Sequence, residues 1–242
     1  MRVKFRQLLC LLVTTTIVAG CAGIANESPK RIALFNGKDF SGWDGPSEWW
    51  TVEDGALTAE STAERPCQRT NYIVWTGGQP SDFEFECDFK ISAAGNSGIH
   101  IRSERRPNHD MFGYQADMTG DGKLIGFIYH HKRGLVAERG SKVSINKEGE
   151  RKATPMDEGT DFLKHYKSGN WNHYRIVCVG DSITLFLNGV KMCDIVDLDP
   201  STKKEHGYIG LQMHRGDPMK VQFKNLYLTP IKPIHPASTP ES

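Results

Sequence analysis

The residues able to do chemistry in this chain gather on short runs that alternate like β-strands. In NSGIHIRSE (96–104), period-two alternation sets Ile99 and Ile101 on one face and His100, Arg102 and Glu104 on the other. A plain solvated face would carry Thr, Lys and Ser. An imidazole, a guanidinium and a carboxylate in succession can instead move protons and stabilise negative charge. GYQADM (113–118) adds Gln115 and Asp117, opposite Tyr114, Ala116 and Met118. In GFIYHHKRG (126–134), Tyr129 and His131 share one face and His130 takes the other. YIGLQMH (208–214) sets Gln212 and His214 against an apolar face of Ile209, Leu211 and Met213. Glu104, Asp117, His131 and His214 are candidates for proton transfer, and Arg102 or Arg133 for charge stabilisation. His100, Gln115, Tyr129 and Gln212 could hold a polar ligand. The bland alternative is a solvated sheet whose polar residues only bond one another. Recurrence of Arg, His and carboxylate on neighbouring strands favours a site.

Such faces need a sheet to carry them, and strand signals dominate the chain. FEFECDFKI (83–91) alternates cleanly, and YRIVCV (174–179), SITLFLNG (182–189) and VKMCDIV (190–196) are β-rich runs broken by Gly180-Asp181 and Asn188-Gly189. Asn-Gly is a strong hairpin signal. KVQFKNLYL (220–228) adds a further strand, and only DFLKHYKSG (161–169) has helical spacing. Many short strands with Gly-rich turns and almost no helix predict an all-β antiparallel sandwich. Residues 141–160 are polar and expected to form a surface excursion.

The first 20 residues read as a signal peptide: Arg2, Lys4 and Arg6 precede an apolar stretch, and Val18-Ala19-Gly20-Cys21 ends it. That ending resembles the lipobox of bacterial lipoproteins, which makes Cys21 the lipidation site and the membrane a partner through the lipid anchor only. Ala22 after the cysteine favours the outer membrane, facing the periplasm. Residues 21–30 form a polar tether, 31–230 a single domain, and 231–242 a Pro-rich tail expected to be disordered. Loss of the three leader cations turns the formal charge from +1 to −2. No basic stripe alternates with aromatics, so nothing suggests a nucleic-acid partner. Cys67, Cys87, Cys178 and Cys193 remain, and free buried thiols are expected.

FNGKDFSGW (35–43), WWTVEDGALTA (49–59), NSGIHIRSE, GYQADM, WNHYRIVCVGDSITLFLNG (171–189) and GYIGLQMHRGDPMKVQFKNLYL (207–228) together resemble the 3-keto-disaccharide hydrolase domain family over residues 30–230. The resemblance implies a concanavalin-A-like jelly roll of two antiparallel sheets, export, and action on oxidised sugars as a glycosidase-type hydrolase. It also makes Tyr114 and Gln115 a substrate-contacting block, although regular alternation points them opposite ways. One departure is that His130 and His131 stand where related sequences often carry an acid. A ketone at C3 of a sugar acidifies the C2 hydrogen. A base can then remove it, the enolate can expel the C1 substituent, and hydration completes a net hydrolysis. On the residues named, Arg102 is expected to stabilise the developing charge, so that Arg102→Ala lowers turnover while the fold survives.

Rival signals exist. Glu84, Glu86 and Asp88 share a strand face, as in laminarinase-type glycosidases on the same fold. DMTGDGK (117–123) imitates the start of a calcium loop, but Ile128 stands at its twelfth position, where a bidentate Glu belongs. No cofactor is predicted. A divalent metal held by His130 or His131 with His214 or Asp117 is left open, although adjacent strand residues cannot both serve. A non-catalytic, lectin-like carbohydrate-binding module is the remaining alternative. The lipobox generates a direct expectation: Cys21→Ser leaves the chain unlipidated and in the soluble fraction, read by membrane fractionation.

Overall fold

The computed structural model describes residues 30–236, so the leader, Cys21 and the end of the tail lie outside the described residues. The chain opens with β1 (Ile32–Ala33), β2 (Trp43–Asp44), β3 (Trp50–Glu53), β4 (Ala56–Glu60) and β5 (Asn71–Trp75). The long strands β6 (Phe83–Ile91), β7 (Asn96–Arg106) and β8 (Asp110–Thr119) follow. Next come β9 (Ile128–His130), β10 (Gly134–Ala137), β11 (Ser141–Ile145) and β12 (Arg151–Pro155). A single 3-10 turn (Phe162–His165) leads into β13 (Asn172–Val179), β14 (Ser182–Leu187), β15 (Val190–Asp197), β16 (Tyr208–Met213) and β17 (Lys220–Pro230).

These strands form a two-sheet jelly-roll sandwich. A ten-stranded sheet runs β12-β11-β15-β14-β13-β6-β17-β4-β3, with β1 beside β17, and a seven-stranded sheet runs β10-β9-β8-β7-β16-β5-β2. In β6 the alternation is complete: Phe83, Phe85, Cys87, Phe89 and Ile91 are buried and the residues between them are not. They meet Ile99, Ile101, Ala116, Ile209, Leu211 and Met213 from the other sheet in one core. Asn188 and Gly189 both take positive φ (49° and 84°), as a two-residue hairpin turn between β14 and β15 requires. The four described cysteines are free and buried.

Two expectations need correction. Residues 141–160 are not only a surface excursion, because β11 and β12 pair as a hairpin that extends the ten-stranded sheet. β11 also runs parallel to β15, so the sandwich is not purely antiparallel. Side-chain alternation could not reveal this, since every side chain of β12 is exposed. The Pro-rich tail begins pinned: His235 and Gln79 exchange backbone hydrogen bonds of 2.7 and 3.1 Å, and Lys232 pairs with Asp82 at 2.7 Å.

The larger correction concerns Arg102. Ile101 stands opposite Tyr114 but Glu104 stands opposite Phe112, so Arg102 and Ser103 together oppose Gly113. This is a β-bulge, and Arg102 sits in it with φ 43°. Alternation breaks there, and the guanidinium turns away from the face of His100. It donates to the Ser81 and Gly180 carbonyls at 2.7 Å each and pairs with Asp82 at 3.1 Å. Burial alone would raise the Asp82 carboxyl, but Lys232, the Gly180 N–H and Arg102 hold it below its ordinary range. Arg102 therefore joins the two sheets. Arg102→Ala should cost about 1–3 kcal/mol of stability, because it leaves the buried Ser81 carbonyl without its donor and removes one of the three partners of Asp82. A thermal melt or urea titration reads the loss.

Candidate active site

The outer face of the seven-stranded sheet is buried where a solvated sheet would not be. Gln115, Asp117 and Gln212 are at most 7% exposed, and His100 is fully buried. Gln115, Asp117 and Gln212 form the floor of a cavity of about 500 Å³, with His100 beneath them. Asp110, Gln115 and Asp117 enter it from β8, Tyr129 from β9 with His131 just beyond, and Tyr72 from β5. Gln212 enters from β16, and His214 and Arg215 follow that strand. Arg69, Thr70, Asn96 and Leu124 complete the rim. A second hollow of about 430 Å³ shares Asn96, His214 and Arg215 with the first and continues past Asp121 and Asp217.

The floor is one hydrogen-bonded chain. Ser103 Oγ lies 2.9 Å from His100 Nδ1, and His100 Nε2 lies 2.8 Å from Gln115 Oε1. Gln115 Nε2 donates to Asp117 Oδ1 at 2.5 Å. Gln212 Nε2 donates to Gln115 Oε1 and to the Tyr72 hydroxyl, both at 2.9 Å. Burial pushes the Asp117 carboxyl up to about 7, against the opposing hydrogen bond from Gln115. Burial likewise holds the Tyr72 hydroxyl at about 12, so it stays a neutral phenol, and drives His100 well below the usual imidazole range. From beneath, buried Tyr174 of the other sheet donates to the Asp117 carbonyl at 2.8 Å and fixes its backbone.

The two histidines at the rim differ in how they are held. His214 Nδ1 lies 2.5 Å from the Arg215 carbonyl, which can only accept. Nδ1 thus carries a hydrogen and Nε2 is left for a ligand. His131 Nδ1 lies 3.2 Å from the Gly113 carbonyl and 3.5 Å from its N–H, so either tautomer finds a partner.

Of the residues picked out in the sequence, Asp117, His131, His214, Gln115, Tyr129 and Gln212 line the cavity. His100 lies under it. Others are elsewhere, each for a local reason. Arg102 is turned away by the bulge, and Glu104, just past it, is exposed outside the cavity. Tyr114 faces the core, where its hydroxyl donates to Asp197. No bulge separates it from Gln115, so only Gln115 reaches the cavity. Arg133 is tied down by Asp199, the Gly149 carbonyl and Thr202.

The rival constellations also resolve. Glu84, Glu86 and Asp88 lie on the outer face of the opposite sheet, paired with Arg175 (2.7 Å), Arg31 (2.8 Å) and His173 (2.8 Å), so the laminarinase-like arrangement is not the one at the cavity. Asp121 accepts from its neighbour Lys123 within a turn. His130 is buried against the Tyr114 ring at 4.6 Å, on the side away from His131. Among the described residues no group of three or more His, Cys, Asp or Glu side chains is placed to hold a metal ion. The residues missed in the sequence are chiefly Tyr72, Asp110, Arg69 and Arg215. Tyr72 is hidden in a strand with every residue buried, and Arg69 sits in an aperiodic loop. Arg215 directly follows His214, and that adjacency was the available signal.

Residues 30–229 match the sequence profile of a family described as a 3-keto-alpha-glucoside-1,2-lyase-like domain. A 3-keto-disaccharide hydrolase of Bacteroides thetaiotaomicron is 32% identical over 94 residues, which is 34% of this chain and 30% of that protein. Among solved structures, a Parabacteroides distasonis protein provisionally described as a glycosyl hydrolase superposes with a TM-score of 0.57 at 20% identity, covering 84% of this chain and 94% of its own. The carbohydrate-binding module CBM66 of Bacillus subtilis superposes with a TM-score of 0.51 at 18% identity, covering 78% and 95%. At such identities the superpositions establish the fold.

The position of Asp117 has a consequence for stability. Its folded carboxyl titrates at about 7, against about 3.9 in an unfolded chain. The folded state therefore prefers the protonated acid. That preference acts fully below the unfolded value and is lost as pH rises through 7. Asp117→Asn should thus be more stable than the parent by about 2–4 kcal/mol above pH 7 and nearly equal to it at pH 4. Melts at the two pH values read the difference.

Proposed function

Because the chain belongs to the 3-keto-alpha-glucoside-1,2-lyase-like domain family, we propose that it is a carbohydrate-active enzyme that cleaves the glycosidic bond of 3-keto-glycosides or 3-keto-disaccharides at this cavity. The observation that carries the reading is Asp117, a buried carboxyl titrating near 7 among cationic and hydrogen-bonding groups. A carboxylate of ordinary acidity is a poor base for a C–H proton. One raised to neutral pH by desolvation is a better base and still ionises.

Asp117 removes the proton from C2, alpha to the ketone. The negative charge that appears on the C3 oxygen is met by Arg69 or Arg215 at the rim. The C1–O bond then breaks, and the departing oxygen takes a proton from an imidazolium at His214, through Nε2–H, or at His131. The product is an unsaturated keto-sugar, and water added across its new double bond gives net hydrolysis. The second hollow gives the leaving sugar a place beside His214 and Arg215, which suits a disaccharide better than a short glycoside. An exported lipoprotein anchored through Cys21 at the outer membrane would meet such sugars in the periplasm.

A lectin-like module on the same fold would offer exposed indoles to a sugar ring. Here Trp43, Trp50 and Trp75 are buried, and no Trp lines the cavity. On a 3-keto-disaccharide, kcat/KM should rise with pH through about 7. Asp117→Asn should lower kcat by roughly 10²–10⁴-fold. Reaction in deuterated water should place deuterium at C2 of the recovered substrate or hydrated product. Binding of the unoxidised sugar without turnover of the oxidised one would favour the lectin instead.

A further inference from the structure

We propose that His100 is a positioning residue whose ring tautomer reverses each time Asp117 gains or loses a proton, with Gln115 turning its amide to follow. The proposal rests on Asp117 being the residue that carries the proton.

The donor and acceptor inventory of the floor fixes one polarity when Asp117 is ionised and completes the opposite one when it is protonated. An ionised carboxylate only accepts, so Gln115 must then present its NH₂ to Asp117 Oδ1, 2.5 Å away. Its carbonyl oxygen consequently faces His100 Nε2 at 2.8 Å, and that nitrogen must carry the ring hydrogen. His100 Nδ1 is then a bare acceptor, filled by the Ser103 hydroxyl at 2.9 Å. From Ser103 through His100 to Gln115, each donor in this state points toward Asp117.

When Asp117 holds a proton, the reverse arrangement is equally complete. The acid O–H donates to the Gln115 oxygen, and the turned amide N–H donates to a bare His100 Nε2. His100 Nδ1–H donates to Ser103 Oγ, whose own hydrogen goes to the Ile101 carbonyl at 3.0 Å or the Tyr114 carbonyl at 3.3 Å. Those two carbonyls are what make reversal possible, since Ser103 has somewhere to send its hydrogen in either state. Gln212 can turn its amide in step, because the Tyr72 hydroxyl both accepts and donates. No atom of the floor is stranded in either polarity. A half-satisfied buried network would oppose one of Asp117's two states. The ring itself stays neutral throughout: it is fully buried, packs edge-on to Tyr72 at 4.8 Å, and has no carboxylate against it.

Other titrating groups lie close enough to need a control. The His131 ring lies tilted at 5.1 Å from the His100 ring, with His130 next to it in sequence, and Arg69, Tyr72, Asp110, Tyr129, His214 and Arg215 share the cavity with Asp117. The test is nitrogen-15 NMR of the full chain labelled at histidine, following the His100 ring nitrogens from pH 5 to pH 9. The expected result is an exchange of the protonated position, Nδ1 at low pH and Nε2 at high pH, with the midpoint of Asp117 titration and no imidazolium signal. In Asp117→Asn the tautomer should become independent of pH, and in His131→Gln the exchange should persist. A tautomer unchanged across the range overturns the proposal, as does formation of an imidazolium. An exchange that survives in Asp117→Asn but vanishes in His131→Gln also overturns it. As a kinetic counterpart, His100→Leu should displace the pH profile upward by about one unit, and His100→Gln, which restores a donor near the Nε2 position, should bring it back. Equal displacement in both variants would make His100 merely structural. The NMR result stands apart from activity. An active Asp117→Asn enzyme would sink the assignment of the base and leave the relay to be judged on its own signal.

Discussion

The site depends on one extra residue in β7. If that strand alternated throughout, Ser103 would point into the core and Arg102 would stand beside His100. The bulge opposite Gly113 reverses both placements. Left-handed backbone at a branchless but long side chain such as Arg102 costs about 1–2 kcal/mol. The ion pair with Asp82 and two carbonyl contacts on the opposite sheet offset it. Gly113 has no freedom here, because a Cβ at that position would collide with Ser103. One backbone irregularity thus fastens the sheets together and delivers the hydroxyl that His100 needs.

Burial does two opposing things at the cavity floor. It withdraws solvent from Asp117 and so raises its basicity, and it makes each unpaired polar atom expensive. The chain of Ser103, His100, Gln115 and Gln212 reconciles the two by supplying partners without supplying charge. Among the described residues no buried side-chain polar atom lacks a partner. Tyr174, reaching up from the opposite sheet, ties the site to the core at the same residue whose side chain faces the cavity. Rigidity from below and desolvation from the side therefore converge on Asp117.

Much of the frame was legible because alternation is a local property. The faces of β6, β16 and most of β8 follow directly from their apolar residues, and Asn188-Gly189 marks its hairpin. From β8 and β16 alone, Gln115, Asp117, Gln212 and His214 could be set on a common face. What alternation cannot disclose is where it stops. Arg102 and Glu104 were misplaced because nothing in IRSE announces a bulge, and the partner that explains it, Asp82, lies 20 residues earlier in a turn. Arg133 and Tyr114 carry the right chemistry for a site, yet Asp199, in the loop after β15, and Asp197, at the end of β15, claim them from far along the chain. Tyr72 was invisible for the opposite reason, since a strand buried on both sides shows no polarity pattern at all.

The hairpin of β11 and β12 leaves the ten-stranded sheet with an open border. A row of unpaired backbone groups there would invite a strand from another copy of the chain. β12 discourages this with its composition: Arg151 and Lys152 bring like charges into any edge-to-edge encounter, and Pro155 has no N–H to offer. Because β11 runs parallel to β15, β12 sits where a bare parallel pair would otherwise end. The hairpin acts as a selvedge, a woven margin that keeps the sheet from being extended by its neighbours.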